Sequence, residues 1–412
     1  MARGVADTEM IRRQNRDLIL GALRRAGPLS RSQIAADTGL SNATLTAIAS
    51  EFVSQGVLVD LESTAGESRV RGRPSVKLAH NRKAAFTLLV ELDVTRCRIS
   101  LLDYAGILVD RIESAITPAT FAETSAPHFL AERIQLIYAR NANAADRLLI
   151  VAISVQGILS SEETGMKWSP IAHLAGVDIV TPLQDQFGLS VKLYKRGRLM
   201  ADGMRWLEPE LAGKTIATVF IGSTVGMGLT FADTDRIGSD IGTEFGHMIH
   251  VPDGALCRCG AVGCIEAYAA DYGILRSAYS VPRHTPPAQA VPPDDFRQIV
   301  SRARMGDRNA LHAFNLAGSA IGYGLNRLMS IFNLDQIVIL GPGTAAYDLM
   351  QPGITEGATA SLMGELRGLP PVTLVAEASE PIYRGLTMKA LTDLDRTVFA
   401  AMNQPAIAQV AE

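Results

Sequence analysis

An α/β fold is what this sequence predicts, with a small helical unit ahead of a larger body. Apolar runs such as Leu148–Val155, Ile216–Ile221 and Gln336–Leu340 alternate with helix-like segments and lead into Gly-rich turns. The 412 residues are 47% hydrophobic and 20% charged and include 36 glycines, enough for two or three packed domains and unlike a disordered chain. Charge is uneven. Residues 1–83 hold 13 Lys and Arg against 8 Asp and Glu, a balance of +5, while the remainder holds 26 against 34, a balance of −8. A basic front on an acidic body points to a polyanion met by the N-terminus alone.

Within the first eighty residues, Ile11, Leu18, Ile19, Ala22 and Leu23 recur at helical spacing, and Gly27-Pro28 stops that helix. Ser30 caps a second helix over 31–38, which Gly39 closes. Ser41 caps a third, in which Leu45, Ile48, Ala49, Phe52 and Val53 form one buried stripe. Two short helices around a tight turn are the layout of a helix-turn-helix, whose second helix enters a DNA major groove. Ser41, Asn42, Thr44 and Thr46 stand near the start of that helix and off its buried stripe, where short polar groups reach base edges or phosphates. Two strands follow, VLVDLE and SVKLAH, joined by a wing whose tip carries Arg71 and Arg73 beside Gly72 and Pro74. Arginines on a thin extended segment suit the electronegative minor groove.

In the body, 84–110 reads as two strands around a turn at 103–106. A short strand covers 191–194, and a long helix runs from about 309 to 332. The Gly-rich stretch 222–228 is either a phosphate cradle or a tight turn between lobes. Five prolines over 281–296 predict an exposed, mobile loop. No apolar run approaches the roughly 20 residues of a membrane helix, and the start lacks the apolar core of a signal peptide.

Three of the four cysteines fall in CRCGAVGC, which is not a disulfide framework, so a reducing cytoplasm is expected. Cys257, Cys259 and Cys264 sit on one Gly-permitted loop, and His247 or His250 lies upstream as a fourth donor. Three thiolates and one imidazole make a closed tetrahedral Zn²⁺ site, structural because no position stays open for water.

Together these residues resemble the ROK family of bacterial sugar kinases and sugar-responsive transcriptional repressors. The family's zinc signature is Gly-His, about ten residues, then Cys-x-Cys-Gly-x-x-Gly-Cys-x-Glu. Here it reads Gly246-His247, nine residues, then CRCGAVGCIE. The helix-turn-helix with a Gly-Arg-Pro wing resembles the repressor branch. The resemblance implies a winged helix-turn-helix over 1–83 followed by a two-lobed actin/hexokinase-like domain over 84–412. Its small lobe would span about 84–195 and its large lobe about 196–380. It makes His247 the fourth zinc ligand, assigns sugar hydroxyls to Glu244, His247 and Glu266, and implies a DNA operator, a sugar effector and a homodimer or homotetramer.

This chain departs from the kinase branch at two motifs. The phosphate loop Asp-x-Gly-Gly-Thr becomes Glu91-Leu92-Asp93-Val94-Thr95, without either glycine. The catalytic Glu-Asn-Asp-Ala-Asn becomes Tyr194-Lys195-Arg196-Gly197-Arg198, and a guanidinium cannot act as general base. Kinase activity is therefore not expected. Three accounts of Lys195 and Arg196 stay open: a clamp for an anionic sugar derivative, an ion pair of Arg196 with Glu244 or Glu266 that fills the pocket, or a reshaped neutral-sugar site.

Overall fold

The amphipathic pattern at the N-terminus produces a longer first helix than expected, α1 (Ala2–Ala26), in a computed structural model that describes residues 2–61, 76–232 and 243–402. The side chains of 2–9 and 398–402 are likewise not described. Helices α2 (Arg31–Thr38) and α3 (Asn42–Ser54) follow, each started by the expected serine. Ser30 builds a reciprocal capping box with Gln33, and Ser41 accepts from the Thr44 amide. Strands β1 (Leu29–Ser30), β2 (Leu58–Leu61) and β3 (Lys77–His80) form an antiparallel sheet in the order β1-β3-β2. Ile19, Leu23, Ile34, Leu45, Ile48 and Phe52 fill the core beneath it. Arg71 and Arg73 lie outside the described residues.

Residues 84–110 and their continuation form three strands where two were expected: β4 (Phe86–Leu92), β5 (Arg96–Asp103) and β6 (Leu108–Ala115). The missed turn at Asp93-Val94-Thr95 has no glycine or proline to mark it; Asp93 makes it by accepting from the Val94 amide through its side chain. With β7 (Leu148–Val155), a small hairpin of β8 (Ile158–Leu159) and β9 (Met166–Trp168), and β10 (Ser190–Lys195), the first lobe is complete. Its sheet runs β10-β7-β4-β5-β6, parallel at β4/β7 and β7/β10 and antiparallel elsewhere. The second sheet holds β11 (Ile216–Ile221), β12 (Val225–Thr230), β13 (Gln336–Leu340) and β14 (Val372–Val375) in the order β12-β11-β13-β14. Such a pair of mixed sheets is built from the alternating apolar runs the sequence shows.

The Gly-rich stretch forms a tight hairpin turn. Only 222–224 turn; Gly226 and Gly228 lie in β12, paired antiparallel with β11. A Cβ on Gly228 would stand 1.9 Å from the Gly197 carbonyl oxygen, so the glycine serves close packing against the helix Arg196–Leu207. That helix and the C-terminal helix Ser379–Met402 pack together between the two sheets. Leu89, Leu102, Met204, Phe220, Leu340 and Leu386 join all these elements in one core.

The proline-rich segment is exposed but held. Arg258 donates to the Ala288 carbonyl and Arg276 to that of Thr285, so two guanidiniums from the cysteine region fasten it. Among the described residues, no helix is long and apolar enough to cross a membrane.

Candidate functional site

On the N-terminal unit, Asn42 and Thr46 are exposed on α3, while Ser41 and Thr44 face each other at the helix start. The Thr44 amide donates to Ser41 Oγ at 3.1 Å. The helix carries no Lys or Arg. Arg12 and Arg16 on α1 flank it and pair with Glu51. The face is therefore polar and neutral, with cations beside it.

The cysteine loop closes on His247 as the family spacing implies. The ligand atoms of His247, Cys257, Cys259 and Cys264 all lie within 4.8 Å of one another. Cys259 and Cys264 sulfurs are 3.8 Å apart, and Cys257 Sγ is 3.8 Å from His247 Nδ1. A tetrahedron with Zn–S arms of about 2.3 Å has edges of about 3.8 Å, so the residues fit Zn²⁺. Hydrogen bonds from Cys257 and Cys264 drive the Cys259 thiol far below its ordinary range, toward the thiolate a metal needs. His250 stands apart from the cluster, its ring edge-on to Tyr268.

His247 reaches the loop through the turn Phe245–His247, which a glycine permits. A Cβ on Gly246 would sit 2.0 Å from the Val225 carbonyl oxygen, so the turn lies directly on β12. Glu266 opens the short helix Glu266–Ala269 straight after the cysteines and is buried. Its carboxylate accepts from the Val225 amide at 3.2 Å and from Tyr272 Oη at 3.3 Å. Burial raises its pKa, with His247 and the Val225 amide opposing.

Between the lobes lies a cavity of about 850 Å³ lined by Lys195, Arg196, Glu244, His247 and Glu266 together. Lys195 and Arg196 are both ion-paired, but not with the partners the second account named. Lys195 at the end of β10 pairs with Glu244 beside β12, bridging the cleft. Arg196 pairs not with Glu244 or Glu266 but with Asp93 in the β4–β5 turn, Nη1 to Oδ2 at 2.7 Å. Its guanidinium also stands 5.4 Å from the centre of the Phe220 ring. Burial disfavours the Asp93 charge, yet Arg196 outweighs it and holds the carboxyl below its usual range. Lys195 closes β10 and Arg196 opens the helix that follows, and the two neighbours find different partners.

Two further side chains line this cavity that sequence reasoning passed over. Gln156 directly follows β7, and its amide donates to Asp93 Oδ1 at 3.4 Å. Trp168 on the hairpin meets the His247 ring edge-on, with centroids 4.9 Å apart. A tryptophan in a short polar segment after a buried strand was the available signal for the second; Gln156 offered none beyond its place at a strand end.

The sequence pattern of the ROK family matches residues 88–381. The xylose repressor of Bacillus subtilis is 22% identical over 340 residues, 81% of this chain and 84% of its own. The DNA-binding transcriptional dual regulator NagC of Escherichia coli is 21% identical over 354 residues, 85% of this chain and 86% of its own. A solved ROK family transcriptional regulator, a homologue of the E. coli MLC protein, superposes with a TM-score of 0.70 at 21% identity over 95% of this chain and 99% of its own. A ROK family glucokinase from Streptomyces griseus, solved with glucose and AMPPNP, gives 0.54 at 21% identity, over 74% of this chain and 99% of its own. With two mixed sheets around one cleft and the family pattern spanning both, the chain belongs to the ROK family.

Proposed function

We propose that the chain is a DNA-binding transcriptional repressor whose interlobe cleft takes a sugar or sugar-derived effector and transfers no phosphoryl group. The observation that carries the reading is the N-terminal unit. The solved regulator matches 95% of this chain, and the kinase 74%. Residues 1–83 act as a winged helix-turn-helix and 84–412 as the effector and assembly domain. Working as a homodimer or homotetramer in the cytoplasm, two heads bind operator half-sites in successive major grooves. Asn42 and Thr46 face bases, Ser41 and Thr44 order the helix start, and Arg71 and Arg73 contact the minor groove.

His247 through Nδ1, with Cys257, Cys259 and Cys264, would hold one structural Zn²⁺. Zinc supplies a closed tetrahedral anchor there and leaves His247 Nε2–H as a donor. Glu266, fixed by the Val225 amide and Tyr272, offers acceptors to ligand hydroxyls. Effector binding favours one lobe arrangement and changes the separation of the heads, a coupling of roughly 5- to 150-fold in operator affinity.

Loss of kinase activity rests on Arg196. It stands where the family has its general base and is itself ion-paired to Asp93. A coupled assay with ATP and a hexose panel is expected to show no turnover; turnover overturns this part. Replacing Arg71→Ala and Arg73→Ala together is expected to weaken operator binding and lower the log–log salt slope by about 2 per bound head, about 4 for two heads. An unchanged slope removes the wing from the contacts.

A further inference from the structure

Helix α3 presents one face away from the core, and the chemistry of that face is narrow. At about 100° per residue, Asn42, Thr46, Ser50, Ala43 and Ala47 fall in that order within an arc of about 140°, and all five are exposed. Leu45, Ile48, Ala49 and Phe52 face the core instead. Among the described residues, nothing bonds the side chains of Asn42, Thr46 or Ser50. No charge stands in the arc. Glu51, the one charged residue of α3, lies beside it and is paired with Arg12 and Arg16.

Each base pair shows the major groove a different edge. Guanine offers two acceptors, N7 and O6, which suit the donors of Arg or Lys, and α3 has neither residue. Adenine offers an acceptor beside a donor, the complement of a carboxamide, and Asn42 carries the one carboxamide in the arc. Thymine adds a methyl group, which gains by contact with another apolar group. Ala43, Ala47 and the Thr46 methyl are such groups, and side chains this short let the helix approach the base edges closely. Residues four apart stand about 5–6 Å from each other, between one and two base-pair steps, so Ala43 and Ala47 address neighbouring pairs.

We propose that α3 reads A·T base pairs through the major groove of each operator half-site: Asn42 holds an adenine edge, and Ala43, Ala47 and Thr46 pack on thymine C5-methyl groups. The carboxamide donates to adenine N7 and accepts from its N6 amino group. Guanine in that place sets its O6 against the Asn42 carbonyl, two acceptors together, and cytosine in place of thymine removes the methyl. This assignment rests on the DNA-binding reading above and adds the class of sequence that is read. It is separate from the wing, since a minor-groove reader cannot sense a methyl group that lies in the major groove.

Selection of duplexes from a random library by the full-length protein, followed by fluorescence anisotropy on the selected site, tests it. The half-sites are expected to carry A·T pairs where α3 lies. Replacing a contacted thymine by deoxyuridine keeps the base pairing and deletes only the methyl, and should weaken binding about fourfold per methyl group. Ala43→Gly and Ala47→Gly should each abolish that difference at one thymine. The ratio is read within each variant, so lost helix stability does not enter it. Asn42→Ala should lose a preference of about 5- to 150-fold for adenine at one position. Half-sites of G·C pairs overturn the assignment, as do equal affinities for thymine and deoxyuridine at every position of the half-site. Tight binding without sequence preference overturns it and leaves the DNA-binding reading standing. No binding to any duplex at low salt overturns both.

Discussion

At the scale of single residues, the cleft shows how one substitution changes what its neighbours can do. A carboxylate in place of Arg196 would leave Asp93 a second, repelling anion; as arginine it neutralises Asp93 and lies by Phe220. The cluster of His247 and three cysteines responds to a different logic, because each thiolate there would be an anion that only a metal makes tolerable. Cys264→Ser removes a fully buried ligand and leaves Cys259 without its neighbour at 3.8 Å. The expected outcome is loss of bound zinc after dialysis, read by elemental analysis, with a lowered melting midpoint. Glu266 should also lose its position, since it stands two residues beyond Cys264. The clustering of His247, Cys257, Cys259 and Cys264 was legible in the sequence because their spacing is local. The ion-pair partners were not, because Asp93 meets Arg196 only through the assembly of the first sheet and Lys195 meets Glu244 only across the cleft.

At the scale of elements, caps and apolar runs predicted well wherever the structure is made by neighbours in sequence. Ser30, Ser41 and the strands Ile216–Ile221 and Gln336–Leu340 form as their own residues dictate. Prediction faltered where a long-range contact decides. The turn at 93–95 is held by an aspartate side chain, and β12 carries Gly228 because a helix lies against it. Gly228 is the test of that second cause. An alanine there overlaps the Gly197 backbone and must push back the helix that begins with Arg196. Gly228→Ala is expected to cost about 1–3 kcal/mol in stability, measured by denaturant unfolding, because packed backbone has little room to move. Wild-type stability in this variant would show that the helix is free to shift.

At the scale of the whole molecule, the question is how the cleft and the N-terminal unit feel each other. Their junction is a single core in which Ile19, Leu20 and Leu23 of α1 meet Tyr104, Ile150, Leu391 and Leu394 of the body. Inside it, Arg24 pairs with Asp395, and Tyr104 Oη donates to the same carboxylate at 2.7 Å. Asp395 sits on the C-terminal helix, whose Asp393 also pairs with Lys192 of β10, the strand that ends at Lys195. Removing one member of a buried pair strands the other, so Asp395→Asn should destabilise by about 3–5 kcal/mol and make the junction sensitive to proteolysis. His80 adds a pH dependence. It is buried edge-on to Tyr104, with centroids 5.3 Å apart, and burial together with the Arg24 charge pushes its pKa well below the ordinary value of 6.5. The unfolded chain therefore binds a proton that the folded chain refuses. His80's contribution to stability is complete above pH 6.5 and falls away as pH drops below it, toward the folded-state value, by about 1.4 kcal/mol per pH unit at most. Asp395 acts with the opposite sign, since burial raises its pKa and favours the folded state at lower pH. The difference between wild type and His80→Phe isolates the histidine: the variant's unfolding free energy should lose the decline between pH 6.5 and 5. Equal slopes in the two proteins would mean that His80 takes up its proton without leaving the junction.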